Sequence, residues 1–175
     1  MKLDHQFTGW PELFPNGRNL DVLQTSIGNV RVPAEQQNLL YLAIHGSLHR
    51  WARLKWLCDI AALAERRGVE RLGRDVEAAK SIGAARPLEL SLYLAGLILN
   101  APCPQTRFDG RSRLPRQCLS EVARTQAVPT GISQRLKFYT MMLTLAEGAG
   151  QHLGVFRYRL WGKNRLALAD FRRTG

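Results

Sequence analysis

A chain of 175 residues with 45% hydrophobic and 22% charged side chains has the composition of one globular domain with a core to bury, which excludes intrinsic disorder. A formal charge of +11 and a pI near 10.4 favour anionic partners such as nucleotide phosphates, nucleic acid or an acidic surface, although a merely solvated basic surface carries the same charge. Cys58, Cys103 and Cys118 are too few and too scattered for a disulfide framework, and with no C-x-x-C neither a redox pair nor a zinc knuckle is signalled.

The opening MKLDHQFTGW has no apolar signal-peptide core, and KLDHQF within it is a candidate strand. FPNGRN, Phe14 to Asn19, is a turn, because Pro fixes φ and Asn-Gly accepts left-handed angles. In LQTSIGNVRVP, Leu23, Thr25 and Ile27 alternate, as do Val30 and Val32. That predicts a hairpin whose two-residue loop is Gly28-Asn29.

After Pro33 the period changes. Leu40, Ile44 and Leu48 recur at four, which predicts a helix with Pro33 in its first turn and Glu35 at the positive end of its dipole. A second helix is predicted from Arg53 to Arg67, stopped by Gly68. Others follow at Arg74 to Ile82, Pro87 to Leu99, Pro115 to Ala127 and Ile132 to Ala149, with a Pro/Gly-rich loop from Asn100 to Pro115. The oily run from Leu88 is too short for a membrane span of about 20 residues. A reducing, cytoplasmic location away from the membrane is therefore expected. The tail from His152 is basic and partly aromatic, either a last helix or a docked arm. The fold class expected is mainly α (α+β), a bundle of about five to six helices with a small N-terminal strand and hairpin. Residues 1–33 would form the β element, 34–150 the helical domain and 151–175 a basic tail.

One segment stands apart: YLAIHGSLHRWARLKWLCDIAAL, Tyr41 to Leu63. The first helix is oily on most sides, as a buried helix is. Asn38, His45 and His49 follow one another at seven and four and form a polar stripe along it. A buried polar group without a partner costs roughly 1–3 kcal/mol, so the stripe needs specific partners or a cleft. Two His at four-residue spacing suit a zinc pair, satisfied structural histidines, or a face hydrogen-bonded to phosphate or sugar. Gly46 stands where a zinc peptidase has its Glu base, and no third ligand follows by spacing. Arg53 and Lys55 are candidate anion contacts or ordinary surface cations. Asp59, between Trp56 and Leu63, is expected to meet the neighbouring helix with His45, His49 or Arg53 as partner, either as a clamp or as a base. Trp51 and Trp56 are expected in packing.

The stretch HGSLHRWARLKWLCD resembles the signature of a bacterial family of uncharacterised nucleotidyltransferases, which reads close to H-G-[AS]-x-H-x-W-x-R-L-x-W-[IL]-x-D. His45, Gly46, His49, Trp51, Arg53, Leu54, Trp56, Leu57 and Asp59 all match it. The resemblance covers Met1 to Leu99, with KLDHQF, ELFP and the hairpin as flanking features. It implies the C-terminal, helical part of a minimal nucleotidyltransferase-like protein. The chemistry implied is transfer of a nucleoside monophosphate from a nucleoside triphosphate, with Mg2+ held by Asp-x-Asp and a third carboxylate on strands. No Asp-x-Asp occurs in the sequence, Gly46-Ser47 lies inside a helix, and Asp75 and Glu77 are expected on a solvent-facing helix. In one register Asp4 is the third carboxylate; in another Lys2 takes that place.

The chain is thus expected to be a truncated or helical substrate-binding half. Residues 1–33 would be the remnant of a sheet, and Asn38, His45, His49, Arg53, Lys55 and Asp59 would contact an NTP or another phosphate-bearing ligand. No metal site is expected within it, and Mg2+ would enter only with a catalytic half. Exposed strand edges predict a homo-oligomer or a chain that supplies the missing sheet. The alternative is a non-catalytic basic helical module that binds nucleic acid or another polyanion.

Overall fold

The chain first forms a two-stranded antiparallel ribbon, β1 (Leu20–Thr25) and β2 (Gly28–Pro33). The computed structural model describes residues 20–123 and 140–147, apart from 52 and 142. The KLDHQF strand with Lys2 and Asp4, the FPNGRN turn, most of the helix expected from Ile132 and the tail from His152 lie outside the described residues.

The hairpin is where it was expected, but its loop is Ser26-Ile27, two residues earlier than Gly28-Asn29. Neither loop residue takes a positive φ. Gly28 supplies it at φ 123° immediately after the loop, opposite Thr25. The glycine therefore closes the ladder, and the twist-matched turn that a Gly-Asn loop would make is not used. Thr25 Oγ1 donates to the Gly28 carbonyl at 2.6 Å. Pro33 also differs from expectation: it ends β2 opposite Leu20, where its missing N–H is harmless, and Ala34 caps the first helix with no side-chain hydrogen bond.

The rest is helical: α1 (Glu35–Leu48), α2 (Leu54–Ser81), α3 (Ala85–Leu99) and α4 (Arg113–Ala123), with a further helical stretch within residues 140–145. The fold is mainly helical with a small N-terminal hairpin, as the sequence predicts. Among the described residues no helix is long and apolar enough to cross a membrane. α1 packs on both α2 and α3, and α3 also meets α4. α3 is buried on nearly all sides: Leu88, Leu90, Leu92 and Leu94 are fully covered. Burial on successive residues rather than one stripe marks it as the central helix. The buried hydroxyls are satisfied locally, Ser91 donating to the Leu88 carbonyl and Ser47 to the Ala43 carbonyl, each at 2.8 Å.

α2 is broken at Gly68 (φ 70°, ψ 158°). The sequence predicts the stop but not the immediate restart. Residues 69–73, expected between helices, are helical, because one glycine absorbs the whole change of direction. A buried fork bridges the break. Arg67 donates to Asp75 at 2.5 and 2.7 Å, and its guanidinium also reaches Glu35 of α1 at 3.5 Å. Asp75, expected in solvent, is only 3% exposed. The bidentate pair ties both halves of α2 together and to α1. Glu89, buried in α3, accepts from Arg107 of the following loop. Arg107 and Arg86 both face Glu147, whose carboxylate also takes the Ala85 N–H at 3.1 Å and so caps the otherwise uncapped start of α3.

Two glycines of α2 separate backbone strain from space. A methyl group at either Gly68 or Gly73 meets nothing within 4 Å. Gly68 occupies a region essentially reserved for glycine, so Gly68→Ala is expected to destabilise by about 1–3 kcal/mol. Gly73 is an ordinary helical glycine, so Gly73→Ala is expected to stabilise by about 0.5–1 kcal/mol. Thermal unfolding followed by circular dichroism should move in opposite directions for the two variants.

Candidate functional site

The corner between α1 and α2 is built by its own hydrogen bonds. The Trp51 N–H donates to the Gly46 carbonyl at 2.8 Å, and the Arg50 N–H to the Ser47 carbonyl at 3.0 Å. This is the six-to-one and five-to-two closure that ends many helices, normally with glycine in the left-handed position. Here Arg50 and Trp51 both take φ 54°. The apolar contact that accompanies such a closure is Trp51 lying on Gly46. A Cβ at Gly46 would fall 2.1 Å from the indole Cζ3, so only glycine lets the ring down.

Two left-handed non-glycine residues cost on the order of 1–3 kcal/mol each. Trp51 is fully buried. An indole takes on the order of 200 Å² out of water, worth about 5 kcal/mol. The two closing hydrogen bonds add about 1 kcal/mol each. Burial of the ring is therefore large enough to hold the strained corner. Trp51 Nε1 makes no hydrogen bond among the described residues. Arg50 is anchored by Glu121 of α4 at 3.5 Å. A cavity of about 70 Å³ beside that pair includes Cys118 and Met141 in its lining. Burial, and then Glu121, push the Cys118 thiol up to about 12, so it stays protonated and is no nucleophile.

Four rings meet at this corner. Tyr41 and His45 stand one turn apart on α1, and His49 follows at its C-terminal cap. Tyr41 stacks on His45 with centroids 5.6 Å apart, and His45 and His49 are 4.6 Å apart. Trp56, in the first turn of α2, is edge-on to His45 at 5.4 Å and tilted against His49 at 5.0 Å. Tyr41 and Trp56 were not among the expected site residues. The four-residue spacing of Tyr41, His45 and His49 is the signal that points to the first of them.

Burial, then His49 and Lys55, hold His45 below the ordinary histidine value; burial, then Arg53, does the same for His49. Both imidazoles are therefore neutral near pH 7, each with one donor and one acceptor. Arg53 and Lys55 are exposed beside them and form no ion pair among the described residues. The corner thus offers aromatic surface, neutral imidazoles and two exposed cations, a combination suited to an anionic group attached to a planar one.

The structure brings His45, His49, Arg53 and Lys55 together. Asn38 lies about 10 Å up the helix from His45, by the rise per residue, and joins the cluster through no hydrogen bond among the described residues. Asp59 corrects the expectation of a buried clamp: it is exposed and makes no ion pair or hydrogen bond among the described residues. The covered stripe of this part of α2 is Leu57, Ile60, Leu63 and Ala64, and Asp59 points around its side. Asp4 lies outside the described residues.

Among the described residues no group of three or more His, Cys, Asp or Glu side chains can hold a metal. Asp75, Glu89, Glu121 and Glu147 are each engaged by arginine. These residues do not fit a Mg2+ site.

Compared with known families, residues 2–100 match the model of the family described as uncharacterised nucleotidyltransferase. The match takes in the hairpin, α1, α2, α3 and the whole corner. The chain belongs to this family. No curated protein and no solved structure matches it.

Two outcomes follow. Gly46→Ala should destabilise the fold by about 1–3 kcal/mol, because the ring must move off the helix; thermal unfolding with tryptophan fluorescence reads this. Both histidines have folded-state values below their unfolded value, so the unfolded chain binds more protons. Their contribution is complete above about pH 6.5 and is lost as pH falls towards the depressed folded values. The melting temperature of a His45→Gln/His49→Gln variant should fall less steeply than that of the wild type between pH 7 and pH 5.

Proposed function

We propose that this nucleotidyltransferase-family chain is the helical, substrate-binding part of an enzyme that transfers a nucleoside monophosphate from an NTP to an acceptor. The carboxylates and Mg2+ for the transfer would come from a half bearing Asp-x-Asp. The observation that carries this reading is the coincidence of the His45 to Asp59 stretch, which lies within the matched residues 2–100, with the ring cluster and with two exposed cations that form no ion pair among the described residues. Arg53 would take a phosphate through its planar fork, Lys55 would act as a point charge, and Trp56 with His49 would offer a face to the base. The exposed hairpin supports the expected sheet partner, another chain or a second copy. Its Leu23–Val30 pair stays over 40% exposed on both strands and has no covering layer among the described residues.

The second reading, a polyanion-binding module, has its own support. Arg111, Arg113 and Arg116 are exposed around the start of α4 and pair with no carboxylate among the described residues. The two readings separate by site. If the corner is the substrate site, Arg53→Ala and Lys55→Ala should each weaken binding of a fluorescent ATP analogue roughly tenfold, the size of one charged hydrogen bond. Arg116→Ala should leave that binding unchanged. If the module reading holds, Arg116→Ala should instead reduce the salt-dependence of single-stranded RNA binding.

A further inference from the structure

We infer that Glu121 of α4 is a positioning residue for the α1–α2 corner, acting through Arg50. What this means for substrate rests on the corner being the substrate site; the coupling of α4 to the corner stands without it.

Arg50 sits between His49, which caps α1, and Trp51, whose ring locks the corner. It takes φ 54°, a backbone region that a side chain with a Cβ disfavours. Its guanidinium reaches the Glu121 carboxylate at 3.5 Å, and both side chains are only 12% exposed. A pair so covered is screened less by salt than a surface pair. Beside it the packing is open: the cavity of about 70 Å³ has Gln117, Ser120 and Met141 in its lining along with the pair. Charge, rather than close-packed side chains, therefore spans the gap at this point. The gain from burying Trp51 exceeds the strain at the two left-handed residues by a margin that one partly buried ion pair can change.

The family match ends at residue 100, and α4 covers Arg113–Ala123, so the contact comes from outside the matched stretch. Leu114, Pro115 and Cys118 bury α4, and Glu121 follows Cys118 one turn later. α4 packs on α3, the central helix, which itself packs on α1 and α2. Glu121 thus reaches the turn from an element held independently of the two helices that the turn joins. While Arg50 is held, the chain reverses and α2 starts where Trp56 meets His49 at 5.0 Å and His45 at 5.4 Å. Once released, the turn relaxes towards negative φ and that ring contact loosens. The helix beyond the family match therefore sets how fully the corner is populated. Apparent affinity for a ligand of the corner falls with that population.

The test is amide hydrogen exchange of the full chain, followed residue by residue by NMR. The Arg50 and Trp51 N–H groups close the corner on the Ser47 and Gly46 carbonyls at 3.0 and 2.8 Å, so their exchange reads its opening. Glu121→Gln keeps the side-chain shape and removes the charge. It should lower protection at both amides about fivefold, the size of one partly buried ion pair, and leave the hairpin amides, which open locally, unchanged. Glycine takes φ 54° without help. In an Arg50→Gly background the same change at Glu121 should therefore alter Trp51 protection less than about twofold. Affinity for a fluorescent ATP analogue should fall with the protection, by up to about fivefold in Glu121→Gln. Glu121→Asp keeps the charge on a shorter arm; it should give a smaller fall at the same amides and serves if Glu121→Gln does not fold. Unchanged protection in Glu121→Gln would overturn the inference. So would an equal fall at the hairpin amides, or an undiminished fall in the Arg50→Gly background, since Glu121 would then act on the fold at large or through another residue. The expected protection changes in a chain that binds no ATP analogue would overturn the substrate-site reading and leave Glu121 as the residue that positions the corner.

Discussion

The indole of Trp51 rests on Gly46 where even a methyl group would not fit, and the α1–α2 corner follows from that contact. Burying the ring requires a chain reversal within five residues, through two left-handed residues that would not adopt that backbone on their own. The reversal sets the start of α2 beside the end of α1. Trp56 then reaches His45 and His49, and Arg53 and Lys55 stand next to the imidazoles. The His45 to Asp59 stretch reads naturally in these terms. Gly46 and Trp51 are the lock, His45, His49 and Trp56 the surface it assembles, and Arg53 a charge at the rim. A strained segment kept by burial next to polar side chains is common where a site must be held in one arrangement.

The distribution of charge depends on the same economy of contacts. Most acidic side chains of the described residues are tied to arginine or lysine: Glu35 by Arg66 and Arg67, Asp75 by Arg67, Glu77 by Lys80, Glu89 by Arg107, Glu147 by Arg86 and Arg107, and Glu121 by Arg50. Several of these pairs are buried, and they knit helices together rather than face a ligand. Buried carboxylates need such partners, and each becomes structural when it finds one. The excess of cations in the sequence is therefore left over at particular places, and the corner is one of them.

Much of this was legible in the sequence because it is local. Periodicity marks the helices, and Gly68 after Arg67 marks the break in α2. The four-residue spacing of His45 and His49 places them side by side, and their rings meet. What escaped were features set by neighbours distant in sequence. Asp59 and Asp75 sit on the same interrupted helix, and spacing favoured the wrong one as the buried acid. Only the direction of the break at Gly68 decides that Asp75 turns inward to Arg67. The Glu147 cap on α3 joins residues 62 apart in the chain, beyond any periodic signal. The hairpin loop moved by two residues because Gly28 can serve either within a loop or just after one, and the sequence does not distinguish the two. Asn38 belonged to the stripe by spacing, but the corner gathers only its end.

The account stands on the corner placing Trp56 against both histidines in solution. Nuclear Overhauser contacts between the Trp56 indole protons and the imidazole protons of His45 and His49 measure this directly. Ring centroids 5.4 and 5.0 Å apart predict cross-peaks to both histidines. Their absence, with both imidazoles titrating at the ordinary histidine value of about 6.5, would contradict it.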